Sequence, residues 1–150
     1  MKLLLKTATL IFLLLQLSVI SAENICGYSP DAAITVTTSK GEKILFKSGI
    51  AETEEKHQKG LMNCGKLGKG TGLFFIFDDD TPRYFWMKNT SIELAIIYID
   101  KNNKIVSIRK GIPFSESILP SVFTARYVLE INWSESLKIK PGDKISFKMN

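Results

Sequence analysis

The sequence predicts a mainly β domain, a compact antiparallel barrel or sandwich that carries one short surface helix. Short runs of β-branched and aromatic residues recur along the chain, and tight turn signals separate them. Only one segment has clear signals for both the start and the end of a helix. With 150 residues, the chain is long enough for one such domain and a short additional segment.

The additional segment is the N-terminus, which predicts a secretory signal peptide over residues 1–22. Lys2 and Lys6 precede a short apolar run, and the small residue Ala22 marks the cleavage point. The run is shorter than the roughly 20 apolar residues of a membrane-spanning helix. We therefore expect an exported protein, periplasmic or secreted, with no stable membrane insertion after signal cleavage, rather than one that keeps a membrane anchor.

The charge of the chain gives no reason to expect nucleic acid as a partner. Cleavage after Ala22 removes two lysines and no acidic residue, so the formal net charge of +5 falls to about +3. The remaining lysines are scattered along the chain, whereas a nucleic-acid site needs clustered basic residues.

The first half of the exported chain predicts an arm, a hairpin and the helix. Residues 23–32 form the arm, and the β-branched segments 34–38 and 43–47 form the strands of the hairpin. The helix covers residues 53–60, where a threonine can cap the start, two glutamates follow it and a glycine can end it. Because this segment is polar on nearly every side, we expect the helix on the surface.

The second half predicts the remaining strands. Residues 94–99 are apolar throughout, which is typical of a central strand with both faces covered. Residues 78–82, with three aspartates and a proline, predict a turn, and residues 110–123 predict an irregular connection. The other predicted strands are 73–77, 104–108, 125–132 and 145–147, and residues 133–137 allow one helical turn.

The stretch from Arg83 to Thr90 is the most informative surface candidate, because aromatic, cationic and amide groups alternate along it. Alternate side chains of a strand face opposite ways. If Phe85 and Met87 point into the core, Trp86 and Lys88 are presented to solvent together.

Trp86, Lys88, Asn89 and Thr90 are therefore candidate ligand-binding residues. A tryptophan face suits sugars and other stacked rings, and lysine and asparagine supply hydrogen bonds. The alternative is structural: Asn89 and Thr90 hold a turn, and Trp86 covers the edge of the core.

Arg126 and Glu130 extend this candidate site. They lie on the same face of one predicted strand, so they can join the ligand-binding residues. The alternative is that each charge forms an ordinary surface ion pair with a neighbour.

The two cysteines, Cys26 and Cys64, are a candidate disulfide. Both lie in the exported part of the chain, and an even pair in an oxidising compartment favours a bridge. Such a bridge would tie the N-terminal arm to the segment after the helix. The alternative, two free thiols too far apart to react, stays open at the level of sequence.

No metal ion, cofactor or catalytic residue is assigned from the sequence. One histidine, His57, and at most one free cysteine make a poor transition-metal site. The glycine-rich segment 65–72 lacks the order of a phosphate-binding loop. Residues 78–80 lack the spaced oxygen ligands of a calcium loop.

Four ordered segments resemble a known family, the bacterial and archaeal family numbered 192 among the domains of unknown function. The most specific is Phe-Trp-Met-Lys-Asn-Thr at residues 85–90. The others lie at residues 51–62, 72–77 and 125–130. The resemblance covers roughly residues 33–149, so the family domain is taken as residues 33–150.

The resemblance implies a small, mainly β domain that is often exported or attached to an envelope, with no established activity. This chain departs from the family pattern at Cys64, where arginine or a similar residue is common. Cys64 therefore looks like a local addition, which supports its pairing with Cys26. A Pro-Cys segment found in many members is missing here, so no role is carried over for that cysteine.

These observations lead to three hypotheses about function. The first is a non-catalytic, monomeric binding module that takes a small polar ligand, an envelope saccharide or an envelope protein at the Trp86–Thr90 surface. The second is a small hydrolase-like envelope enzyme that uses Lys88 and Glu130 in a pocket beside Trp86. The third is a structural or assembly protein of the envelope, which an exposed apolar patch would favour.

Overall fold

The computed structural model describes residues 24–150, and in this part of the chain it shows a mainly β, single-domain fold. The predicted signal peptide at residues 1–22 lies outside the described residues. None of the helices in residues 24–150 has the length and apolar character needed to span a membrane. The elements are β1 (Ala32–Thr37), β2 (Lys43–Ala51), α1 (Glu54–Lys59), β3 (Thr71–Phe85), β4 (Leu94–Ile99), β5 (Ile105–Gly111), β6 (Leu119–Asn132), a 3-10 turn (Trp133–Glu135) and β7 (Lys144–Met149).

The strands form one seven-stranded sheet in the order β5-β4-β6-β3-β2-β1-β7. Every neighbouring pair is antiparallel except β2 and β3, which are parallel. The prediction of a wholly antiparallel arrangement is therefore wrong at this pair. Parallel strands need a crossover connection, and the chain between Ala51 and Thr71, which includes α1, supplies it.

The sheet is not closed into a barrel, so the predicted barrel- or sandwich-like form is corrected to a single open sheet. The edge strands β5 and β7 meet only at their starts among the described residues. There the Ile105 N–H donates to the Asp143 carbonyl at 2.8 Å, and the Ile145 N–H donates to the Asn103 carbonyl at 2.9 Å. Beyond these starts, the described strand pairings join β5 to β4 and β7 to β1.

Apolar side chains cover both faces of the sheet. On β4, Leu94, Ile96 and Tyr98 belong to one buried cluster, and the residues between them belong to another. All six β4 residues are buried, which confirms the prediction of a central strand. The second cluster draws residues from all seven strands, so the sheet curves around it. The first cluster is covered by the N-terminal arm and by the segment that follows α1.

Strand β3 continues through the segment that the sequence assigns to a turn. Its register against β6 shifts between Ile76 and Thr81 and again between Pro82 and Tyr84. The aspartates and the proline are therefore accommodated as bulges, where a residue without an N–H group is tolerated. The long partner strand β6 holds both halves together, and local turn signals could not reveal this pairing.

The N-terminal arm is fixed to the sheet by a disulfide and by a tyrosine. Cys26 and Cys64 are bonded, with their Cα atoms 5.4 Å apart, which confirms the predicted bridge. The Tyr28 hydroxyl donates to the carbonyl of Gly60 at 3.1 Å. The arm approaches so closely that a Cβ atom at Gly49 would lie 2.4 Å from the Tyr28 Cβ.

Candidate functional site

A wide groove lies between α1 and the chain that ends β3 and turns after it. Its volume is about 990 Å³. We call it the Trp86 groove, and it is lined by Glu54, Glu55, His57, Gln58, Lys59, Met62, Asn63, Phe77, Pro82, Arg83, Tyr84, Phe85, Trp86, Lys88 and Asn89. One wall is the polar helix α1. The opposite wall comes from the stretch between Arg83 and Thr90, in which the sequence predicts alternating side chains.

Trp86 and Lys88 form the exposed wall of the groove. The Lys88 Nζ lies 5.0 Å from the centroid of the Trp86 ring, and 42% of Trp86 is exposed. Met87 is buried and Phe85 packs against the first core cluster. The side chains alternate as the sequence predicts, although β3 itself ends at Phe85.

Asn89 and Thr90 shape the turn that presents this wall. Asn89 has a φ of 52°, a left-handed conformation that asparagine adopts more readily than most residues. The Thr90 N–H donates to the Met87 carbonyl at 3.1 Å, and its hydroxyl donates to the Lys88 carbonyl at 3.0 Å. The Asn63 N–H donates to the Asn89 carbonyl at 2.8 Å, which ties the turn to the segment after α1. Both residues therefore have a structural role, and Asn89 also lines the groove.

A narrow cleft of about 30 Å³ adjoins the groove and contains Glu130. Trp86, Lys88 and Lys59 line both spaces. The antiparallel pairing of β6 with β3 places Glu130 opposite Leu73, on the face that α1 and the following turn cover. Only 4% of Glu130 is exposed, and its Oε2 atom is buried without a hydrogen-bond partner among the described residues.

Glu130 is a carboxylic acid rather than a carboxylate at neutral pH. Burial raises the pKa of Glu130 from 4.5 to about 8. Burial also raises the pKa values of Tyr28 and Tyr98, and the nearby Glu130 contributes to both. The cleft thus offers a neutral hydrogen-bond donor, and two lysines, Lys59 and Lys88, also line it.

A family model for domain of unknown function 192, described as "Uncharacterized ACR", matches residues 35–147. The chain belongs to this DUF192 family. The match contains the whole of the Trp86 groove and the Glu130 cleft, and it confirms the family that the sequence motifs indicated.

Two solved structures share this DUF192 fold. A protein of unknown function from Novosphingobium aromaticivorans is 36% identical, with a TM-score of 0.72, and the alignment covers 76% of this chain and 83% of that one. A "putative transcription regulator" from Sinorhizobium meliloti is 28% identical, with a TM-score of 0.76 and coverage of 80% and 95%. A comparison with curated proteins found no match.

Arg126 does not reach the site of this DUF192 domain. Its guanidinium donates to the backbone carbonyl of Asp78, and it lines neither the groove nor the cleft. Ala125 and Val128 belong to the same core cluster, so the alternation of faces is broken between them. For this reason Arg126 and Glu130 do not extend one site, although both lie on β6.

Two groove residues of the DUF192 domain, His57 and Arg83, were not assigned to the site from the sequence. The His57 Nε2 lies 2.9 Å from the Ile76 carbonyl and 3.1 Å from the Ala51 carbonyl. Because both neighbours are acceptors, Nε2 carries a proton, and the ring anchors α1 to the sheet. The Arg83 guanidinium lies 3.9 Å from the Phe77 ring centroid, and its Nε donates to the Ala125 carbonyl at 2.9 Å. Both side chains build the groove wall.

Gly60 is expected to be the most sensitive glycine of the site. It ends α1 with a φ of 47° and a ψ of −131°, a conformation that costs other residues about 1–3 kcal/mol. Gly60→Ala should therefore lower the free energy of unfolding by that amount in urea titrations. Gly65→Ala is the matched control, because Gly65 has no positive φ and no atom within 4 Å of an added Cβ. Equal losses for the two variants would contradict this assignment.

Proposed function

We propose that this DUF192 domain is an exported, monomeric binding module that takes a small polar ligand containing a ring. One observation carries the proposal: an exposed tryptophan with a lysine ammonium 5.0 Å from its ring forms one wall of a concave groove. The groove volume of about 990 Å³ is near the upper end of the range for small-molecule sites. A concave surface favours a small ligand or a saccharide over a flat contact with another protein.

The chemistry of the groove supports a ligand that is both polar and ring-shaped. One tryptophan face can stack on a sugar or a planar ring, and the tip of Lys88 can donate hydrogen bonds to its substituents. On the opposite wall, Glu54 and Glu55 are exposed and offer acceptors. A wholly apolar ligand would leave these charged groups without partners.

Saturation-transfer NMR tests this proposal. Glucose, N-acetylglucosamine, glucosamine and galacturonate would each be added to the wild type, to Trp86→Ala and to Trp133→Ala. Trp133 is the matched control, because it also has a lysine 5.2 Å from its ring, that of Lys110, but lies outside the groove. We expect transfer to at least one sugar in the wild type and in Trp133→Ala, and none in Trp86→Ala. Equal transfer in all three proteins would contradict groove binding.

The second candidate is a hydrolase-like enzyme that uses Glu130 and Lys88 for proton transfer. The observation that favours it is the raised pKa of Glu130, because a group near neutrality can both donate and accept a proton. Both residues line the same narrow cleft. Each sugar that shows saturation transfer would be incubated with the protein and then analysed by mass spectrometry. Conversion of the sugar by the wild type but not by Glu130→Gln indicates an enzyme. An unchanged sugar indicates a binding module.

The third candidate is an assembly role, and exposed apolar side chains support it. They lie along the connection between β5 and β6 and the start of β6, beside the turn at residues 87–90, which we call the Trp86 turn: Ile112, Phe114, Ile118, Val122 and Phe123. Grouped apolar exposure of this kind is typical of contact surfaces. Sedimentation velocity tests this candidate, because assembly through this surface predicts a dimer that Phe114→Ser with Phe123→Ser converts to a monomer.

A further inference from the structure

We propose that the Glu130 cleft binds the carboxylate end of an acidic ligand, with the Glu130 Oε2–H as donor and Lys59 and Lys88 as counter-charges. The inference rests on the proposed function, because the ring of the same ligand would contact Trp86. It narrows the ligand class to small ring-containing carboxylic acids, such as sugar acids or aromatic acids.

The first argument is the unpartnered oxygen. Buried polar atoms are nearly always hydrogen-bonded, yet the Glu130 Oε2 has no partner among the described residues. The atom borders the cleft beside Gly60, where an added Cβ would lie 3.9 Å from it. Gly60 lines the cleft without a side chain, so no side chain at this position separates Oε2 from the cleft. A ligand oxygen in this space would complete the hydrogen bond.

The second argument is the charge around the cleft. Lys59 lies with its Nζ 4.9 Å from the Tyr28 ring centroid, and Lys88 lies over Trp86. Neither ammonium forms an ion pair with a carboxylate in residues 24–150. Both lysines line the cleft, and their positive charges favour an anion over an ammonium group there. The carboxylates of Glu54 and Glu55 line the outer groove and not the cleft.

The protonation of Glu130 makes this proposal sensitive to pH. With a pKa of about 8, Glu130 donates a hydrogen bond at pH 6 and is mostly ionised at pH 9. Ionisation removes the donor and adds a repelling charge, so affinity for a carboxylate should fall about tenfold between these pH values. Five other titratable or charged groups surround Glu130. They are Tyr28 from the arm, His57 and Lys59 from α1, Lys88 from the Trp86 turn and Tyr98 from β4. The raised pKa values of the two tyrosines keep them neutral over this range.

Fluorescence titrations with benzoate, benzamide and benzylamine test the assignment. Trp133→Phe leaves Trp86 as the one tryptophan in the chain, so its emission reports contact with the ring of each probe. We expect benzoate to bind most tightly at pH 6 and about tenfold more weakly at pH 9. Adding Glu130→Gln keeps an uncharged donor, so benzoate should still bind, and the pH dependence should disappear.

The outcomes distinguish this inference from the proposed function. If Trp86 responds to all three probes equally, or to benzylamine most strongly, groove binding stands and the carboxylate assignment is overturned. If the pH dependence of benzoate survives in Glu130→Gln, the assignment to Glu130 is overturned. If Trp86 responds to none of the probes at either pH, the groove binds no ring compound of this kind, and both proposals fail.

Discussion

Glu130→Gln is expected to abolish a loss of stability of about 2 kcal/mol or slightly more that the wild type shows between pH 5 and pH 7. The pKa of Glu130 is raised from 4.5 to about 8 in the folded state. Below pH 4.5 both the folded and the unfolded states are protonated, so stability is highest there. As the pH rises toward 8, the unfolded state releases its proton while the folded state retains it. Folding then becomes progressively less favourable.

Urea unfolding at pH 5, 6, 7 and 8 measures this effect. The free energy of unfolding of the wild type should decline across the series, and that of Glu130→Gln should stay nearly constant. Glu116→Gln is the matched control, because Glu116 is exposed and should leave the wild-type slope unchanged. Parallel pH profiles for the wild type and Glu130→Gln would show that Glu130 is not a buried neutral acid.

Reduction of the Cys26–Cys64 bond is expected to lower the free energy of unfolding by about 4 kcal/mol. The bond closes a loop with a sequence separation of 38, and its loss frees the unfolded chain. The arm would also lose the link that keeps Ile25 and Tyr28 buried against the sheet. The measurement is urea unfolding at pH 7 with and without dithiothreitol.

The matched control for reduction is the double variant Cys26→Ala, Cys64→Ala. Dithiothreitol should have no effect on this variant, and its stability should resemble that of the reduced wild type. An unchanged urea midpoint for the wild type after complete reduction would contradict the tethering role of the bridge.

Local sequence patterns predicted the elements whose signals lie within the element itself or directly beside it. The apolar run from Leu94 to Ile99 indicated a strand covered on both faces, and capping residues located α1. The continuous β3 could not be predicted, because Asp78 to Pro82 carry strong turn signals that pairing with β6 overrides. The parallel pairing of β2 and β3 also depends on contacts distant in sequence.

The candidate site was predictable in part for the same reason. Alternation placed Trp86 and Lys88 on one exposed wall, because neighbouring Met87 had to be buried. It could not predict that Glu130 lies beneath Gly60 in a narrow cleft, since this depends on how α1 packs against the sheet. The same rule failed for Arg126, because the alternation along β6 breaks where the register between β3 and β6 shifts.

Native mass spectrometry of protein purified rapidly from an exporting host tests the central claim most directly. The wild type should carry an added mass that disappears in the denatured spectrum, and Trp86→Ala with Lys88→Ala should carry none. Trp133→Ala should retain it. The denatured mass also reports whether residues 1–22 are removed and whether two hydrogens are missing, as the Cys26–Cys64 bond requires. The same added mass on every variant, or a bare wild type, would contradict a ligand site in the Trp86 groove.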